Sequence, residues 1–222
     1  MANNHVDATI RRLLDRRGRT FAEELNIHVE QGTPSPLFQL LCFALVGSTR
    51  IGWQTSLHAA RALFDAGWTT PAKMADATWR QRTDVLNKSG YARYDESTSR
   101  MLEDSARLLL EKYQGDLRKL REQAGRDREE ERRRVKEFKG IGDVGADIFF
   151  REVQGVWDEW HPFMDRLAVE AAAKLELPKD PRVLAEHVGR AEFPRLVAAL
   201  VRTHLEDLYA EMTAEHSDQR AW

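Results

Sequence analysis

The chain has 222 residues, of which 42% are hydrophobic and 32% charged, with a formal net charge of −2. That balance excludes a disordered chain and predicts one large domain or two small lobes sharing a core. Overall charge does not advertise a nucleic-acid binder, although binding needs only a local basic face.

Cys42 is the sole cysteine, so no internal disulfide and no four-cysteine zinc or iron–sulfur site can form. Its position in the apolar run Phe38 to Val46 predicts a buried small hydrophobe. No stretch reaches the ~18 apolar residues of a membrane span, and the N-terminus lacks the basic-then-apolar order of a secretory signal. A cytoplasmic protein without metal or other cofactor is expected.

Alternating strand patterns and Asn-Gly or Asp-Gly hairpins are almost absent, and helical periodicity is frequent. Ile10, Leu13 and Leu14 give a first stripe. Pro34 and Pro36 break the chain, with Ser35 read as a cap, and an apolar helix follows over about 36–47. After a turn bracketed by Gly47 and Gly52, a helix carries Leu57, Ala60, Leu63 and Phe64. Two more stretches cover about 71–88 and close at Gly90. A long amphipathic helix runs from about Glu96 to Tyr113. The run Glu129 to Arg134 reads as a solvated helix face with acid and base one turn apart. Pro178 and Pro181 precede a last stripe: Phe193, Leu196, Val197, Leu200, Val201, Leu205 and Leu208.

The informative segment is Val135 to Phe149. A helix ends near Phe138, a tight Gly140-Ile141-Gly142 turn follows, and a second helix starts near Asp143 or Val144. Glycines allow backbone angles and close approaches denied to other residues. The unpaired N–H groups of the turn and of the next helix's first turn can then form a cup for a phosphate oxygen. Such a contact positions a duplex without reading bases. Lys139, Gly140, Ile141, Gly142, Val144 and Gly145 are the candidate DNA-binding residues, with Ile141 as the plug into the protein. A plain helix–helix connection with a glycine cap would show the same Gly-x-Gly. Downstream, His161-Pro162-Phe163-Met164-Asp165-Arg166 leads into another helix, and Asp165 stands either as a simple cap or as a carboxylate with chemistry to do.

The order of these features resembles the helix-hairpin-helix, Gly/Pro-rich loop and aspartate of the endonuclease III family of base-excision DNA glycosylases. Ser35 to Leu41, Leu45 to Thr49, and Gly90-Tyr91 through Tyr113 to Leu117 add to it, and the similarity spans roughly residues 34–178. The resemblance implies an all-α, two-lobed helix-hairpin-helix glycosylase-like fold. One lobe would be 1–33 plus 179–222. The other would be 34–178, with the hairpin at 139–143 and Asp165 in the cleft. It also implies double-stranded DNA containing a damaged base as partner, base flipping, and Asp165 as the catalytic group at the sugar.

Three features depart from the family. Val144 stands where bifunctional members carry the lysine that forms a Schiff base, so no efficient lyase step is expected. The four-cysteine cluster loop is missing. Asp143 at the hairpin would repel phosphate unless turned away or used as a cap, and Lys139 could offset it. Thr49 matches the intercalating position, Arg50 could assist it, and Tyr91, Trp160 and His161 could line a base pocket. Each of these also fits an ordinary structural role, and Trp53, Trp68 and Trp79 read as core or interface residues. The leading expectation is a monofunctional DNA glycosylase. Its rivals are a non-catalytic binder of DNA lesions or DNA structures and, more distantly, a helical protein-interaction module.

Overall fold

The computed structural model describes residues 2–213, and among them every regular element is helical. In chain order the α-helices are α1 (Ala2–Arg17), α2 (Phe21–Glu24), α3 (Pro34–Gly47), α4 (Trp53–Asp65), α5 (Pro71–Asp76), α6 (Trp79–Lys88), α7 (Asp95–Tyr113), α8 (Leu117–Gln123), α9 (Arg128–Val135), α10 (Asp143–Val153), α11 (Arg166–Lys174), α12 (Pro181–Ala185), α13 (Phe193–Glu206) and α14 (Tyr209–Thr213). None is long and apolar enough to cross a membrane.

The chain divides into two compact units. Residues Phe21–His161 form a central unit, and the residues up to Thr20 join those from Pro162 onward in a terminal unit. These boundaries differ from the expected 33/34 and 178/179. Residues 21–33 fold with the central unit because the Ala22 amide donates to the Glu152 carboxylate at 2.9 Å and the Phe21 ring packs on Phe43 and Trp53. Residues 162–178 belong to the terminal unit because α11 lies along α13.

In the central unit α3 is the axial element. It is buried from Pro36 to Val46 except at Gln39, and α4, α7, α8 and α10 pack around it. Its cap differs from expectation: Pro34 occupies the first turn after Thr33, and the Ser35 hydroxyl donates instead to Thr69 O at 2.9 Å. Thr70 and Thr78 cap α5 and α6, the latter with a reciprocal Gln81 bond. A fully buried arginine ties this corner together. Arg82 donates to Met74 O at 2.9 Å and Ser99 O at 3.0 Å, and also to Ala77 O and the Glu103 carboxylate. The carbonyl ends of α5 thus find donors without solvent. Cys42 is buried, and burial pushes its thiol well above the usual range, as suits an inert core residue.

In the terminal unit α13 is the hub, contacting α1, α11 and α14. Its stripe buries Phe193, Leu196, Val197, Leu200 and Val201, while Leu205 lies outside on the exposed side. Each buried aliphatic side chain contributes about 1.5–3 kcal/mol. Arg195 donates to Gly18 O at 2.5 Å, and Arg202 donates to the carbonyls of Arg17 and Arg19, satisfying the acceptors left over where α1 ends.

Candidate nucleic-acid interface

The charge run is the body of α9, and its arginines pair with acids one turn away as its spacing predicts. Arg133 binds Glu130 at 2.6 Å and Glu137 at 2.7 Å, and Arg134 binds Glu130 at 2.7 Å. These cations are engaged with neighbouring acids rather than gathered into a basic patch.

The helix ends earlier than expected, at Val135, and a turn carries the chain through Phe138 to Gly142. Phe138 and Ile141 are buried and fasten this turn to the unit. Gly140 has φ +91°, and a Cβ there would lie 2.7 Å from Met101 Sδ and 3.4 Å from Leu45 Cγ. Only glycine meets both conditions without strain. Two hydroxyls hold the turn from outside: Ser48 donates to Gly140 O at 3.1 Å, and Ser105 to Lys139 O at 3.3 Å. Neither serine carries a sequence signal, because a hydroxyl that serves a distant carbonyl has no local pattern.

Gly142 is the N-cap of α10 and offers no side-chain cap. The first bond into the helix is Ala146 N to Gly142 O at 3.0 Å, so the amides of Asp143, Val144 and Gly145 precede the internal ladder. A Cβ on Gly142 would meet nothing within 4 Å, whereas one on Gly145 would press Ile141 and Ala44 O. Gly142 therefore faces open space, and Gly145 lets α10 lie close to α3. Val144 is 60% exposed, an unusual place for an apolar side chain.

Asp143 is exposed, and its carboxylate takes Lys136 Nζ at 2.8 Å and Arg132 Nη2 at 3.3 Å. The Lys136 bond, followed by its charge and the Arg132 bond, holds the Asp143 carboxyl below the usual range. The expected repulsion of phosphate is thus met by two cations. Lys139 Nζ lies 3.2 Å from the Asp104 carboxylate, so its charge is shared rather than aimed wholly outward.

Asp165 is the N-cap of α11, 6% exposed, with Oδ1 accepting from Ala168 N at 2.9 Å. Capping is therefore one role it performs. A carboxylate here also sits at the positive end of the helix.

The loop after α3 abuts the hairpin through Ser48. Thr49 Oγ1 bonds Val46 O at 3.1 Å and the Tyr91 hydroxyl at 2.6 Å, and Tyr91 also donates to Val46 O at 2.9 Å. Tyr91 is fully buried, so it braces this loop from the core and cannot present its ring to a base. Arg50 is exposed. Trp160 also departs from the expected pocket role. It is buried with its ring stacked on Phe150 at 3.5 Å, and the Arg128 guanidinium lies 4.7 Å over that ring. No face is open to a flipped base. His161 is half-buried and closes the short 3₁₀ turn Asp158–Trp160 through its amide, bonded to Asp158 O at 3.2 Å. Trp79, expected in the core or at an interface, is 39% exposed with Arg100 5.6 Å over its ring.

The structure thus gathers Gly140, Ile141, Gly142, the Ser48–Thr49 loop and Tyr91 in one neighbourhood of the central unit. Asp165 belongs to the terminal unit. Among the described residues no cluster of His, Cys, Asp and Glu could hold a metal ion.

No protein-family model matches the chain, and no curated protein matches it. Among solved structures it is similar to an endonuclease III trapped as a covalent intermediate with DNA, in an estranged-adenine complex. The identity is 16% and the TM-score 0.47, over 73% of this chain and 71% of that one.

Proposed function

We propose that the chain is a DNA glycosylase that excises a damaged or mismatched base from duplex DNA. The observation that carries this reading is the uncapped start of α10 behind the Gly140–Gly142 turn. Its leading amides precede the helical ladder, Gly142 opens onto free space, and Lys136 with Arg132 balances the nearby Asp143. Together these offer a seat for one phosphate oxygen of a DNA backbone. Asp165 supplies the carboxylate that stabilises positive charge developing on the sugar as the base leaves. Base flipping exposes the bond to be cut.

Val144 has no amine to attack the sugar, so the enzyme is monofunctional and leaves an abasic site uncleaved. Duplexes carrying a panel of lesions, incubated with the protein and then treated with hot alkali, should break at the lesion. Borohydride should trap no covalent protein–DNA adduct. Intact strands across the whole panel would remove the glycosylase reading, and a trapped adduct would remove the monofunctional one.

A second reading, a non-catalytic binder of lesions or DNA structures, draws on the fact that Asp165 is largely buried and already spends one oxygen on Ala168 N. Salt-dependent DNA affinity without alkali-labile sites would favour it.

A further inference from the structure

One acid of the charge run points inward. Glu131 is fully buried, and its Oε2 accepts the indole N–H of Trp160. Its Oε1 has no hydrogen-bond donor, and the Glu159 carboxyl is a neighbour close enough to bond with the Glu131 carboxyl if one of them carries a proton. Glu159 is gripped by Arg121 through two nitrogens at 2.6 Å each. The charged groups facing this spot are therefore Arg121 from α8, Glu159 and the nearby Asp158 from the 3₁₀ turn, and Arg128 from α9 itself, which lies over Trp160. Arg121 is bonded to Glu159, Arg128 lies over the Trp160 ring, and neither donates to Glu131 Oε1. An uncompensated charge in such a place is costly, and a carboxyl that holds its proton instead becomes the missing donor.

We propose that Glu131 and Glu159 share one proton, which seats α9 against the central unit, and that its loss at alkaline pH loosens α9 and the Gly140 turn that follows it.

Burial, reinforced by the Glu159 contact, pushes the Glu131 carboxyl up to about 8. Burial would raise Glu159 as well, but the Arg121 bond outweighs it and holds that group below the usual range. The sign follows from linkage. The unfolded chain ionises Glu131 near its ordinary value of 4.5, while the folded chain keeps the proton to about 8. Its contribution to stability is complete below the first value, is lost as pH rises through the second, and changes no further above it.

The inference does not rest on the glycosylase reading, and its test involves no DNA. Infrared spectra of the full chain at neutral pH should show the carbonyl band of a protonated carboxylic acid, which disappears by pH 9. Near-ultraviolet circular dichroism should report a transition of the Trp160 environment with a midpoint near pH 8. E131Q should abolish both, because its amide still accepts from Trp160 and donates to Glu159. Amide exchange of residues 128–142, corrected for intrinsic base catalysis, should rise about tenfold across that transition in the native chain and stay flat in E131Q. Absence of the band in the native protein, which needs no variant to fold, would overturn the proposal. So would a transition that persists in E131Q, or exchange that does not change with it.

Discussion

Two helix N-termini carry the functional argument, and they are built in opposite ways. α10 is entered through Gly142, which has no side chain to spend on the helix's first amides. α11 is entered through Asp165, whose carboxylate accepts from Ala168 N. An N-terminus left uncapped keeps its donors for an outside anion, and the protein forgoes the ~1 kcal/mol a capping side chain brings. A capped one gains that stability, and its carboxylate is fixed in direction before any substrate arrives. The contrast suits a phosphate seat at one helix and a pre-aimed acid at the other.

The largest expected effect tests the capped end. Asn caps nearly as well as Asp but carries no charge, so D165N should leave the melting temperature almost unchanged. Base excision should nevertheless fall about 10²–10³-fold, read from alkali-labile sites per hour. Full activity in a folded D165N would leave Asp165 as a cap and nothing more.

The next effect separates the two hairpin glycines. G140A forces a side chain into φ +91° against Met101 and should lower stability by about 1–3 kcal/mol in urea unfolding. G142A adds a methyl where space is open and the backbone is extended, so the fold should hold. Its DNA affinity should fall roughly tenfold, the measure of one lost phosphate contact. If both variants lose only stability, the turn is a connector and not a seat.

The smallest effect sharpens the electrostatics. D143N removes an acid from the hairpin and frees Lys136, while Arg132 stays on Asp147 at 2.8 Å, and should tighten DNA binding a few-fold at low salt, with the gain fading as salt is raised. Unchanged affinity at every salt concentration would place that trio away from the DNA path.

The helical class was legible from periodicity, and the Gly-Ile-Gly turn and Asp165 from local chemistry, because turns and caps are written in neighbouring residues. The surroundings were not. The sequence leaves Tyr91 open to a base-pocket or a structural role, because the partners that decide it, Val46 and Thr49, lie more than forty positions away. Trp160 is likewise open to a pocket or a structural role from sequence, and Phe150 decides it through a contact that no spacing rule reports. Trp79 went the other way, exposed beside Arg100. Glu131 did leave a trace. It lies four residues before Val135 and seven before Phe138, on the stripe that turns inward, and the charged letters around it disguise that register.

The way the terminal unit is assembled from both ends of the chain has a consequence for synthesis. α1 leaves the ribosome before the central unit, while α13, the helix it packs on, follows that unit. The carbonyls at the end of α1 must wait for Arg195 and Arg202 throughout the making of the central unit. The central unit is contiguous and can close during translation, so α1 stays exposed to chaperones and proteases until α13 is made.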